Sequence, residues 1–283
     1  FFFQIKLIFF RFKMSSDIDE ISQLASILHQ NGDKVLKALS KFTLNAVLLQ
    51  KLNIQFNLIL ENVNNSDNEL CYDIVSENES RQILKDLQFI NDFIRKTVSL
   101  KLTNNSNLNL LNNKVDISNF KNIKYLEIKK VSINEIVGLK NIQSRLESVV
   151  CDRCLSHLED LFSKCGGDNT CDVVWNTLRE AVLSFNKINV IDKSIALAPS
   201  LQVLDLSHNQ ITDVKAIECL PNLKYVNLSY NCLDSIPTFH KSAKKKIELL
   251  AMKNNYVENL KGISFKLSIL LDIKFSFVLF FNF

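Results

Sequence analysis

Cys151-x-x-Cys154, followed by Cys165 and Cys171, is the cluster in this chain whose residue type and spacing could do chemistry unaided. Four thiolates so spaced can enclose a tetrahedral zinc ion, and a Cys-x-x-Cys pair alone can cycle between dithiol and disulfide. A plainer reading competes. If the segment belongs to a repeated strand, Cys151 falls on an inward core position and Cys154 on a buried polar slot, and neither needs a metal. His29, His157, His208 and His240 lie on unrelated stretches. No H-x-x-x-H, Gly-x-Ser-x-Gly or phosphate loop is present, and Gly166-Gly167 follows a helical pattern as its stop signal. No residue set is expected to be catalytic, to bind a cofactor or to hold a metal. The run Lys241, Lys244, Lys245 and Lys246 can be a solvated loop or a contact for anionic lipid or an acidic partner.

The formal net charge of +4 comes entirely from the two ends: Lys6, Arg11 and Lys13 on one, Lys266 and Lys274 against Asp272 on the other. Residues 14–262 are therefore neutral, whereas a nucleic-acid binder concentrates positive charge on its working domain. Residues 1–13 and 263–283 hold 12 of the 20 phenylalanines and show neither helical nor strand periodicity. They are expected to be disordered or translated non-coding tails, with the charged residues of the second interrupting any membrane span. Seven cysteines without a secretory signal suit reduced thiols and a cytoplasmic location.

The scaffold that must position any site is written in residues 201–214 (LQVLDLSHNQITDV) and 223–236 (LKYVNLSYNCLDSI). Leu201, Leu204, Leu206, Asn209, Ile211 and Val214 recur 22 residues later as Leu223, Val226, Leu228, Asn231, Leu233 and Ile236. This L-x-x-L-x-L-x-x-N-x-L period is that of the leucine-rich repeat, an α/β right-handed solenoid with parallel strands on its concave face. The same template takes in Leu178, Ala181, Leu183, Asn186 and Ile188 upstream, and Ile247, Leu250, Met252, Asn255, Val257 and Leu260 downstream. Leu146, Val149, Cys151 and Cys154 fit with Cys154 in the Asn slot, and Ile123, Leu126, Ile128 and Val131 fit with Val there. About six repeat strands follow, with a weaker stretch at 108–115 left open.

A helix is predicted from Ser16, with Ile18, Ile21, Leu24, Ala25 and Leu28 on one face and a stop at Asn31-Gly32. Helical pattern continues over 33–60, a loop over 61–80, and a second strong helix over 81–96 carries Ile83, Leu87, Ile90 and Ile94. Val98, Leu100 and Leu102 then alternate as a first strand. The expected organisation is a helical cap over 14–97 and a solenoid over 98–262. Residues 155–171 form a helical insertion on the convex side, and the array looks cut after Gly262.

Aligned two positions beyond the third apolar residue of each repeat stand Lys130, Arg153, Phe185, His208, Tyr230 and Asn254. They are the predicted partner-binding row of the concave face, an aromatic ladder next to basic residues, the composition of protein-binding hot spots. Cross-strand aromatics that merely stabilise a sheet would give the same pattern.

Residues 145–168 (RLESVVCDRCLSHLEDLFSKCGGD), 183–195 (LSFNKINVIDKSI) and 204–213 (LDLSHNQITD) resemble the amino-terminal part of the serine/threonine kinase 11-interacting protein family. Weaker similarity covers 24–36 and 86–102, so the resemblance spans most of 14–262. It implies a non-catalytic scaffold that binds a serine/threonine protein kinase, influences its location, and resides in the cytoplasm with peripheral association to endosomes or lysosomes. Family members are longer, with more repeats and a large carboxyl-terminal region. Another repeat adaptor, nischarin-like or phosphatase-regulating, is the alternative of the same class. A zinc or redox module on Cys151, Cys154, Cys165 and Cys171 is the alternative of a different one.

Overall fold

The computed structural model describes residues 15–64, 77–104, 114–169 and 174–257. The two expected tails, Cys171 and Leu260 lie outside the described residues. Helix α1 (Ser15–Leu36) buries Ile21, Ala25, Leu28 and Val35, the stripe its period required. It does not stop at Gly32. A Cβ there would stand 2.6 Å from the Phe93 ring, so glycine serves close helix–helix approach rather than termination. The stop falls at Ala38, in left-handed backbone, where the Leu39 N–H turns back to the Lys34 carbonyl at 2.9 Å.

The helical reading of 33–60 also needs correction. Strand β1 (Phe42–Asn45) interrupts it, with Phe42 and Leu44 buried, before helix α2 (Ala46–Asn64) begins. The Asn45 side-chain oxygen accepts from Val47 N at 2.8 Å, satisfying a donor of the first turn of α2. Helix α3 (Glu77–Lys96) buries Ile83, Leu87, Ile90 and Ile94, so the helices on either side extend into the predicted loop.

Among the described residues, eight strands form one parallel sheet, in the order β1, β2 (Ser99–Thr103), β4 (Tyr125–Lys129), β6 (Ser148–Asp152), β7 (Glu180–Val182), β8 (Val203–Asp205), β9 (Tyr225–Asn227) and β10 (Leu249–Ala251). The register aligns Leu100, Leu126, Val149, Ala181, Leu204, Val226 and Leu250 on consecutive rungs. All seven are buried. A fully buried leucine contributes roughly 1.5–3 kcal/mol, and because each rung covers its neighbour the stabilisation depends on stacking. The open stretch at 108–115 is not another rung of this sheet in its described part. Strand β3 (Val115–Asp116) pairs instead with β5 (Ile136–Val137) in a separate two-stranded sheet.

The Asn slots close the rungs. Asn186, Asn209, Asn231 and Asn255 donate from Nδ2 to the Cys151, Leu183, Leu206 and Leu228 carbonyls of the preceding rung at 2.8–2.9 Å. Their Oδ1 atoms accept backbone N–H groups just past that rung, such as Ile188 N to Asn209 at 3.1 Å. Cys154 makes the matching donation, Sγ to the Ile128 carbonyl at 4.0 Å, so it occupies the slot as the template predicted.

The insertion carries helix α4 (Leu158–Phe162), which packs on the turns Ile133–Glu135 and Lys193–Leu197. Leu158, Leu161, Phe162 and Cys165 are buried. Gly166-Gly167 does more than end a helix: both glycines press against carbonyls of residues 133–136, where a Cβ would meet backbone at 2.5–2.8 Å. Asp168 then accepts from Gly138 N at 2.7 Å and Lys140 N at 2.9 Å, which clasps the insertion to the preceding repeat. Trp175 is fully buried, its indole donating to the Phe162 carbonyl at 3.1 Å.

Candidate protein-binding surface

Six rungs, those of β4, β6, β7, β8, β9 and β10, end in the same way. One to three residues past the last paired strand residue, the chain passes through left-handed backbone at Lys130, Arg153, Phe185, His208, Tyr230 and Asn254, with φ between 54° and 60°. These are the six residues of the predicted row. Left-handed backbone costs an L-residue on the order of 1–2 kcal/mol. The rung-to-rung bonds offset it: Phe185 N donates to Ser207 O at 3.1 Å, His208 N to Ser229 O at 3.0 Å and Tyr230 N to Lys253 O at 2.7 Å. The turn sends the following Asn inward and leaves the row's own side chains at the carboxyl-terminal rim of the sheet.

The rim brings three of the six into direct contact. Phe185 and His208 stack with ring centroids 4.2 Å apart and planes at 9°, and His208 and Tyr230 stack at 4.1 Å and 11°. Both faces of the imidazole are covered, while Phe185 is 50% and Tyr230 39% exposed. Lys130 and Arg153 extend the row on one side and Asn254 on the other, all exposed. Asp152 bridges Lys129 at 2.9 Å and Arg153 at 3.0 Å. Burial acts to raise its carboxyl, but the hydrogen bonds from Lys129 and Arg153 outweigh it and hold Asp152 below the usual aspartate range.

A second feature escaped the sequence. At the β1 end of the sheet, a groove of about 440 Å³ is lined by Leu39, Lys41, Tyr125, Glu127, Ser148 and Glu180 among others. Glu127 lies between Lys101 at 2.5 Å and Lys41 at 2.6 Å. Burial raises its carboxyl; hydrogen bonds from Lys101 and Lys41 prevail and bring it below the ordinary glutamate value. A depressed carboxyl stabilises the fold above its unfolded range and loses that contribution as pH falls through the folded value. Thermal unfolding of the protein and of Glu127→Gln should therefore differ at neutral pH and converge as pH drops below the glutamate range. A pH-independent difference would deny the ion pairs a role.

The cysteines are placed by the repeat. Cys151, Cys154 and Cys165 are buried. The hydrogen bond with the Cys151 thiol, then burial, push the Cys154 thiol far above the ordinary thiol range, which opposes the thiolate that zinc or disulfide exchange requires. Among the described residues no three His, Cys, Asp or Glu side chains form a metal-holding group. Lys241, Lys244, Lys245 and Lys246 are exposed around the turn Ala243–Lys245, and Lys246 Nζ bonds Asn222 at 2.7 Å. Among the described residues no helix is long and apolar enough to cross a membrane.

Residues 15–106 match the family described as LKB1 serine/threonine kinase interacting protein 1, and 199–242 match leucine-rich repeats in two copies. The chain is similar to serine/threonine-protein kinase 11-interacting proteins. It is 33% identical to that of Gallus gallus over 86% of this chain and 32% identical to that of Homo sapiens over 85%. In both it spans 22% of the relative's length. Among solved structures, an internalin from Listeria monocytogenes is 16% identical with TM-score 0.44, covering 67% of this chain and 50% of the other. A leucine-rich-repeat protein of Leptospira interrogans is 23% identical with TM-score 0.39, covering 59% and 40%.

Proposed function

With residues 15–106 matching the LKB1 serine/threonine kinase interacting protein 1 family, we propose that this chain is the repeat-bearing part of a non-catalytic scaffold for a serine/threonine protein kinase. The observation that carries this reading is the stacked rim Phe185–His208–Tyr230. It is a rigid, partly exposed aromatic row, and the parallel register of β7, β8 and β9 fixes its spacing. Aromatic side chains held in place lose little entropy on binding and dominate protein-binding hot spots. Anchoring the kinase in the cytoplasm, at the surface of endosomes or lysosomes, belongs to the same proposal. The exposed lysines around Ala243–Lys245 support peripheral contact with an anionic surface there.

Immobilised full chain should retain purified serine/threonine-protein kinase 11. Phe185→Ala combined with Tyr230→Ser should reduce retention at least tenfold, a loss on the order of 1.4 kcal/mol or more, with the circular dichroism spectrum unchanged. Equal retention by the folded variant would contradict the assignment of the rim. No retention by the unmodified chain would contradict the kinase reading.

A further inference from the structure

The rim also carries an excess of positive charge, and this bears on what segment of a partner it takes; the inference deepens the scaffold reading above. Lys130 has no carboxylate partner among the described residues, and Arg153 shares its one carboxylate, Asp152, with Lys129. On the aromatic rungs the residue before the rim is an uncharged serine, Ser184 partly buried and Ser207 and Ser229 buried, and on the next rung it is the exposed Lys253. The aromatic rungs also carry the strand carboxylate Asp205, three residues before His208. Its oxygens accept from Ser207 N at 2.8 Å and Asn227 Nδ2 at 3.2 Å. An apolar ridge is thus bordered by cations at both ends.

We propose that this rim docks an acidic segment of a partner protein carrying aromatic or aliphatic side chains. Its carboxylates would meet Lys130, Arg153 and Lys253, and its apolar groups would lie along Phe185, His208 and Tyr230. Charge complementarity selects this occupant. Single-stranded nucleic acid also favours cations beside aromatics, but it binds by stacking bases on free ring faces. Here both faces of His208 and the inner faces of Phe185 and Tyr230 already face each other.

The test selects a random dodecapeptide display library on the full chain, then measures the enriched peptides by fluorescence anisotropy. Enriched sequences should combine net negative charge with at least one aromatic or large aliphatic residue. Lys130→Glu with Arg153→Glu should weaken them at least tenfold, and the milder Lys130→Gln with Arg153→Gln by several-fold, with unchanged circular dichroism. Raising salt should weaken binding to the unmodified chain more than to the variants. No enrichment, enrichment without acidic bias, affinity unaltered in the variants, or tighter binding of oligo-dT than of any peptide would overturn the proposal. Kinase 11 retention is measured on the same variants. Peptide selection as described without kinase retention supports this surface and removes only the kinase reading. Kinase retention indifferent to the charge changes, with no acidic selection, removes this surface and leaves that reading standing.

Discussion

Asn209→Ala is expected to destabilise the repeat array by about 2–4 kcal/mol, more than the loss of one ordinary hydrogen bond, because several buried backbone groups depend on this amide. Its Nδ2 donates to the Leu183 and Leu206 carbonyls at 2.9 and 3.0 Å and approaches the Ser207 carbonyl at 3.2 Å, while Oδ1 accepts Ile188 N at 3.1 Å. Alanine removes all of these at once. It leaves the buried Ile188 N–H without the acceptor that Oδ1 supplied. The site also lies between two rungs, so the loss should uncouple them rather than soften one alone. Urea unfolding followed by far-ultraviolet circular dichroism measures the effect, with a broadened or split transition expected as the array parts near this rung. Cys154→Ala is the internal control. The same slot there makes only weak thiol contacts, a long Sγ donation of 4.0 Å to Ile128 O and a hydrogen bond with the Cys151 thiol, so its loss should cost well under half as much. Equal effects at Asn209 and Cys154 would mean the amide ladder is not what joins the rungs.

Trp175→Ala should cost about 3–5 kcal/mol, the range for removing a large aromatic from a packed core. The indole is fully buried, meets Phe162 edge-on with centroids 6.0 Å apart, and donates to the Phe162 carbonyl at 3.1 Å. It therefore ties the end of α4 to the repeat that follows the insertion. Trp175→Phe keeps most of the apolar contact and loses the N–H, so it should recover more than half of the deficit. Limited proteolysis adds a local readout: in Trp175→Ala, cleavage within 155–171 should precede cleavage of the repeats at 201–257. Simultaneous loss of both regions would place the indole in the global core rather than at the insertion's anchor.

How far these features could be read from the chain depends on how local their cause is. The rungs were legible because Leu204, Val226 and Leu250 recur with their flanking positions at near-constant spacing, and a parallel sheet converts that spacing directly into register. The row Lys130 to Asn254 was legible for the same reason, since its offset from the inward residues is fixed by the template. Its stacking distances and left-handed backbone were not. Strand β1 stayed hidden because Phe42 and Leu44 supply only two alternating apolar residues between long helical patterns. With β1 unseen, neither Lys41 nor Lys101 could be placed against Glu127. Gly32 misled because glycine ends helices through backbone freedom and also permits close approach, and only the Phe93 ring tells which applies. Trp175 stands three residues before Leu178, where Ala198 and Leu220 stand before Leu201 and Leu223, but the longer insertion obscured that equivalence.

The most direct test of the central claim, that the rim of this solenoid is where its partner sits, is side-chain footprinting. Diffusible carbene labelling of the full chain, alone and saturated with serine/threonine-protein kinase 11, reports each exposed ring separately. Phe185 and Tyr230 should lose most of their labelling on binding, while Leu39, 76% exposed at the opposite end of the sheet, should keep it. A saturated complex in which Phe185 and Tyr230 label as strongly as in the free chain would contradict the account.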